Sequence, residues 1–223
     1  MDNTNIREFE KPSVAVDLLI FTIKDGELQI VLVKRGIEPF KDSWALPGGF
    51  VRIDEAVDEA AKRELREETG LKEVYLEQLY TFGQVNRDPR ARVITVAYFA
   101  LTPYSKMKLE ASTDVVEARL FPVKRLPSLA FDHTEIVAAG ISRLRNKIQY
   151  SNIVYGLMSD QFRLSDLQKV YEIILGEELD KRNFRKKMAS LDLLEDTGKM
   201  EVEGAHRPAK LYRFKKKDVV FFD

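Results

Sequence analysis

Glu64, Glu67 and Glu68 crowd one turn of a segment, about residues 55–69, that reads as a single amphipathic helix. Asp54 stands where it can cap this helix and Gly70 where it can end it. Val57, Ala61 and Leu65 repeat every fourth residue and form the face to bury. On a wheel of about 100° per residue, Glu64 lies at about −100° from Leu65, Glu68 at about −60° and Glu67 at about −160°. Carboxylates held this close repel one another, and the helix gains no propensity that offsets the repulsion. A hard divalent cation with oxygen ligands, Mg²⁺ or Mn²⁺, turns that repulsion into attraction. Arg63, four residues before Glu67, can steer it through a charge-assisted hydrogen bond. Upstream, Gly48 and Gly49 let the backbone approach a metal or a phosphate closely. A solvated acidic face is the plain alternative, and spacing alone leaves the two level.

The surroundings of this helix alternate strand with helix. Residues 13–23 are rich in Val, Leu, Ile and Phe, the Asp25-Gly26 pair signals a turn, and residues 28–34 resume the strand. Residues 41–53, with Trp44 and Pro47, read as a strand followed by a loop. Further strand patterns fall at 75–84, 92–101 and 120–123, and a helix is expected from His133 to Lys147. Strands broken by two well-separated helices predict an α/β or α+β sandwich. The character changes after Gln149, which divides the chain into 1–149 and 150–223. A helix over 164–175, with Ser165 as cap and Gly176 behind it, precedes a second over 181–191 capped by Asp180. Two extended runs follow, at 194–202 and 209–214. Helix, turn, helix, hairpin is the order of a winged helix-turn-helix.

Composition removes some chemistries. The 223 residues contain no Cys, which excludes disulfides, thiolate zinc and a cysteine nucleophile. Acidic and basic residues balance at 36 each, so net charge alone names no partner. No run approaches the roughly 18 to 20 apolar residues that span a bilayer, and the N-terminal residues lack a signal-peptide core. A cytoplasmic location without membrane partners is expected.

Gly49, five residues, Glu55, seven residues, Arg63-Glu64-Leu65, one residue, Glu67-Glu68, one residue, Gly70-Leu71: this series resembles the Nudix box at every defined position. The resemblance implies an α/β/α sandwich and metal-assisted hydrolysis of a nucleoside diphosphate linked to another moiety. It implies that Glu64, Glu67 and Glu68, with the Gly48 carbonyl, hold the divalent ions beside Arg63. Such ions neutralise the pyrophosphate, polarise its P–O bond and activate water. The general base stays open among Glu67, Asp88, Glu110, Asp114 and Glu117. For substrate, Arg35 and Arg52 flank the Gly-rich loop and can neutralise phosphates, surface ion pairs being the alternative. Phe50 and Trp44 read either as core or as a stacking surface for adenine. Asp132 and His133 open a helix, where capping and ligand contact are equally open.

Residues 150–223 carry 14 basic and 13 acidic side chains, unevenly placed. Lys181, Arg182, Arg185, Lys186 and Lys187 crowd the start of the second helix, and His206, Arg207 and Lys210 lie near the hairpin tip. A basic recognition helix with a basic wing is the footprint of duplex-DNA binding. A small packing domain with a solvated basic face is the alternative.

Taken together the chain resembles the NrtR family of Nudix-related transcriptional regulators. The segments VAVDLLIF at 14–21, LPGGFVR at 46–52, NRDPR at 86–90, LAFDHTEI at 129–136, LDKRNFRKKM at 179–188 and HRPAKLYRF at 206–214 carry that resemblance. It implies a homodimer whose Nudix domain senses ADP-ribose or a related NAD-derived nucleotide. A sister group, AraR-like, shares the architecture and senses arabinose. Many members have degenerate boxes, and this complete one favours retained pyrophosphatase activity. Three functions therefore stand: a regulator that binds or slowly hydrolyses ADP-ribose, a dedicated pyrophosphatase with a non-DNA-binding C-terminal domain, and a sugar-responsive repressor. The basic helix argues against the second and the intact box against the third.

Overall fold

Strand β1 (Ser13–Lys24) sits mid-sheet, so successive side chains enter two different cores. A computed structural model describes residues 10–71, 74–107, 115–201 and 208–222. Val16, Leu18 and Ile20 pack with Ala60, Ala61 and Leu65 of helix α1 (Val57–Thr69). Leu19 and Phe21 point the other way, toward Ile136, Leu144 and Ile148 of helix α2 (His133–Tyr150). Two helices on opposite faces of one sheet make the expected α/β/α sandwich.

The sheet runs β3 (Trp44–Ala45), β2 (Glu27–Arg35), β1, β6 (Val93–Leu101), β5 (Tyr75–Phe82). Strand β4 (Gly48–Phe50) adds to β1, and β7 (Val115–Pro122) adds to β2. Strands β1 and β6 pair in parallel, the other pairings are antiparallel, and Asp25 and Gly26 turn β1 into β2 with φ of 51° and 74°. The β4 register, Asp17 opposite Gly48 and Val16 opposite Gly49, lays the glycine loop beside the first strand.

Local signals succeed in part. Gly70 and Gly176 end their helices in the left-handed region, at φ 67° and 81°. Helix α1 starts two residues later than the sequence suggests, and Asp54 does not cap it. The Glu59 carboxylate instead accepts the Ala56 N–H at 2.9 Å, while Glu55 is drawn to Arg63. In α3 (Leu164–Leu175), Asp166 rather than Ser165 closes the first turn, accepting the Arg163 N–H at 3.0 Å. Asp180 caps α4 (Lys181–Ser190) as expected, accepting the Asn183 N–H at 2.8 Å. Strand β7 begins at Val115, ahead of the residue 120 expected.

Strands β8 (Phe162–Arg163), β10 (Ala209–Phe214) and β9 (Leu194–Glu201) form a second sheet beside α3 and α4, giving the winged helix-turn-helix. Its core is continuous with that of the sandwich through Leu144, Ile148, Leu167 and Ile174. Arg145 on α2 donates to the Ile174 carbonyl at 3.0 Å. The chain end returns to the junction, where Asn152 donates to the Asp218 carbonyl and accepts the Val220 N–H. Among the described residues no helix is long and apolar enough to cross a membrane.

Candidate functional site

Helix α1, the glycine loop, the end of β2 and the loop between β5 and β6 enclose a cleft of 710 Å³. Gly48, Gly49, Phe50, Arg35, Arg52, Arg63, Glu64, Glu67, Glu68 and His133 all line it. Asp132 does not, and Trp44 packs edge-on against Phe121 at 4.7 Å instead of facing the cleft.

Arg63 is the hub of the acidic wall. It grips Glu55 with two hydrogen bonds, at 2.7 and 3.0 Å, and donates to Glu64 at 2.6 Å and to Glu67 at 3.3 Å. The fork holds the Glu55 carboxyl down at about 2, helped by the Arg52 backbone N–H. Glu64 moves the opposite way: burial raises it, against the pull of Arg63. Among the described residues no three acid or histidine side chains converge closely enough to form a metal cluster as they stand. Arg63 lies between two of the box carboxylates. The donor chemistry nevertheless fits a hard cation, since Glu64 and Glu68 are buried oxygen anions lining one cleft with Gly48.

The two glycines do different work. A Cβ on Gly48 would lie 2.2 Å from the Val16 carbonyl oxygen, a backbone atom that the β1–β4 pairing fixes. A Cβ on Gly49 would lie 2.1 Å from Glu64 Oε1, the far end of a side chain that Arg63 holds. Gly48→Ala is therefore expected to destabilise the fold by about 1–3 kcal/mol. Gly49→Ala should lower the melting temperature less than Gly48→Ala and displace the Glu64 carboxylate, weakening divalent-ion binding. Equal melting losses in the two variants would refute this division.

A second charged network lies behind the loop. Arg87, with 4% of its side chain exposed, donates to Asp132 at 2.7 and 2.9 Å and to Asp17 at 3.1 Å. His133 Nδ1 accepts the Leu46 N–H at 2.8 Å, which leaves the proton on Nε2, 3.4 Å from Asp17. Burial pushes Asp17 up, but His133 and Arg87 outweigh it and hold its carboxyl low. Asp132 and His133 thus fasten the start of α2 to β1 and to the β5–β6 loop. Asp88 lines the cleft with its carboxylate occupied by Arg90, which donates at 2.7 and 3.0 Å and holds it below its usual range. Glu117 on β7 pairs with Arg119 away from the cleft, and Glu110 and Asp114 lie outside the described residues.

Helix α4 buries Phe184 and Met188 and exposes Lys181, Arg182, Arg185 and Lys186. Among the described residues none of those four cations forms an ion pair, unlike Lys210, which Asp196 holds at 2.7 Å. Arg207 lies outside the described residues.

Comparison with known proteins agrees with this layout. The NUDIX domain family model matches residues 11–140, and the NrtR DNA-binding winged helix domain matches residues 154–214. The "ADPR responsive transcriptional repressor NtrR" of Acinetobacter baylyi is 39% identical over 218 residues, covering 96% of this chain and 86% of its own length. The chain belongs to the NrtR family of Nudix-domain proteins. The Shewanella oneidensis NrtR structure with a 27mer DNA superposes with a TM-score of 0.82 at 36% identity, covering 91% of this chain and 93% of that one. That protein's NUDIX domain, solved with ADP ribose, aligns at a TM-score of 0.56 and 35% identity over 64% of this chain and 94% of that one. The "ADP-ribose pyrophosphatase" of Methanocaldococcus jannaschii is 40% identical over 136 residues, 61% of this chain and 77% of that protein.

Sequence reasoning about this NrtR-family chain missed Asp17, Arg87, Arg90 and Phe131 as parts of one cleft. Asp17 interrupts an otherwise apolar β1 core run, a signal that was available. Arg87 and Arg90 sit in a loop whose partners are up to 70 residues away, which local pattern does not reveal.

Proposed function

We propose that this chain is a homodimeric, cytoplasmic DNA-binding regulator that responds to ADP-ribose and hydrolyses it with Mg²⁺ or Mn²⁺. The observation that carries the reading is the combination, in one chain, of an acid-lined cleft and a separate helix whose exposed cations have no ion pair among the described residues. The repressor and the co-crystallised domain among its relatives support ADP-ribose as the ligand. The archaeal pyrophosphatase supports the chemistry. We divide the chain at 149/150, with sensing before and DNA binding after.

In this reading Glu64, Glu67, Glu68 and the Gly48 carbonyl hold the divalent ion. The ion supplies charge neutralisation at the pyrophosphate and a more acidic bound water. Arg63 sets the azimuth of Glu64 and Glu67, and Glu55 in turn fixes Arg63. Arg52 and Arg35 add positive charge to the cleft for the diphosphate. Asp88 is tied up by Arg90 and is a poor base, and Glu67, whose side chain is 48% exposed and paired with Arg63, serves in this reading as a metal ligand. Asp132 and His133 serve by position, fastening the start of α2.

The test combines hydrolysis, melting and gel shift. ADP-ribose should yield AMP and ribose 5-phosphate only with Mg²⁺ or Mn²⁺, and it should raise the melting temperature more with metal than without. It should also release a bound operator duplex. Tight arabinose binding with no response to ADP-ribose would transfer the case to a sugar sensor.

A further inference from the structure

Helix α2 runs from the cleft to the second half of the chain, 18 residues and so about 27 Å. At its start His133 takes the Leu46 N–H at 2.8 Å and Arg87 grips Asp132, and Leu46, His133 and Arg87 all line the cleft. At its middle Gly140 presses on β1: a Cβ there would stand 2.0 Å from Leu19 Cδ2. Near its far end the exposed Arg145 donates from Nε to the Ile174 carbonyl at 3.0 Å. That carbonyl belongs to the last turn of α3, where backbone acceptors lack intrahelical partners and a cation is favoured. The turn from α3 to α4 is locked from α3: Glu172 accepts the Leu179 N–H at 3.0 Å, and Gln168 donates to the Leu179 carbonyl at 2.8 Å. The two helices of the winged half therefore move together. Beside the Arg145 contact the two halves part around an open groove of 320 Å³, lined by Gly26, Lys124, Lys169 and Glu178 among others.

We propose that α2 is the lever that couples the nucleotide cleft to the DNA-binding helix, with Arg145 as the residue that passes its movement to α3. A ligand seated against the glycine loop shifts Leu46 and, through His133, the start of α2. Close packing at Gly140 and Leu19 gives the helix a fulcrum, so displacement at one end emerges at the other instead of being absorbed in the core. The apolar contacts of Leu144 and Ile148 with Leu167 and Ile174 tolerate sliding. A hydrogen bond to one carbonyl has a set direction and fixes how α3 follows. The open groove gives the winged half room to turn. Because α3 and α4 are tied at Leu179, Arg182 and Arg185 are re-aimed without any change inside α4. The inference rests on the ADP-ribose reading and adds the route from ligand to DNA.

The test uses two probes with Mg²⁺ present: the α,β-methylene analogue of ADP-ribose, which resists hydrolysis, and a duplex selected from random sequence for tight binding. Fluorescence anisotropy gives duplex affinity with and without the analogue, and calorimetry gives analogue affinity with and without the duplex. In the wild type each probe should weaken the other by at least about tenfold, and by the same factor. Arg145→Met, at an exposed position, should bind either probe alone within about twofold of the wild type while the mutual factor falls below about threefold. Asn146→Ala, the exposed neighbour on α2, should keep the wild-type factor. A full mutual factor in Arg145→Met overturns the lever, as does an equal loss of the factor in Asn146→Ala. Weakened binding of one probe alone with the factor intact also overturns it, since a merely structural arginine would give that result. A wild-type protein that binds both probes with no mutual effect overturns the ADP-ribose-responsive reading itself, and the lever with it.

Discussion

Glu68→Gln is expected to lower kcat/KM for ADP-ribose by at least about a hundredfold while the protein remains folded. Glu68 is buried on α1, lines the cleft beside Glu64 and lies on the same helical arc. Gln preserves volume and helix propensity, so packing against the sheet survives. The change removes one of the anionic oxygens that a hard cation requires, and a neutral amide is a poor substitute. The added melting temperature that metal confers on the wild type should shrink in parallel, because that gain depends on the same ligands. Glu68→Gln turning over ADP-ribose within tenfold of wild type, with the same metal response, would remove this carboxylate from the metal set.

Much of the fold was legible because its signals are local. The Asp25-Gly26 turn, the β1 apolar run and the two left-handed glycines each act within a few residues. Helix starts were less legible. Asp54 and Ser165 have the right chemistry for a cap, but the helices start elsewhere, and Glu59 and Asp166 reach back to the Ala56 and Arg163 N–H groups. Glu55, next to the start of α1, is taken by Arg63, eight residues on.

The candidate site divides along the same line. Glu64, Glu67, Glu68 and Arg63 share one helix, so periodicity alone brings them together. Arg87 and Asp17 are separated by 70 positions, and only the parallel pairing of β1 with β6 brings the intervening loop back over the first strand. Trp44 was ambiguous for a related reason: β3 pairs with β2, which turns its ring to Phe121 and away from the cleft. The hairpin wing is different again. Lys210 counts as a DNA-facing cation in the sequence, and in the structure it shares an exposed ion pair with Asp196 across the hairpin, a cross-strand contact that composition does not reveal.

That contrast leaves α4 as the surface to test. Phe184 and Met188, four residues apart, anchor its inner face, so Arg182 and Arg185 can be shortened without disturbing the core. Their charges are unpaired within the described chain, which makes them available to phosphate or to guanine edges. Neutralising a phosphate contact weakens binding to every sequence and reduces the salt slope by about one unit. Losing a bidentate contact to guanine costs about 1–3 kcal/mol and relaxes specificity at that base. Arg182→Ala combined with Arg185→Ala is therefore expected to lower operator affinity by about a hundredfold or more, which a gel shift at moderate salt reads as complete loss. Hydrolysis of ADP-ribose should persist in the same variant, since α1 and its cleft belong to the other half of the molecule. A dimer would read a palindrome with half-sites whole helical turns apart, so the loss should be steeper on the palindrome than on one half-site. The proposal sinks if the wild-type protein shows no salt-sensitive affinity for any duplex, or if the double variant holds its operator as tightly as the wild type.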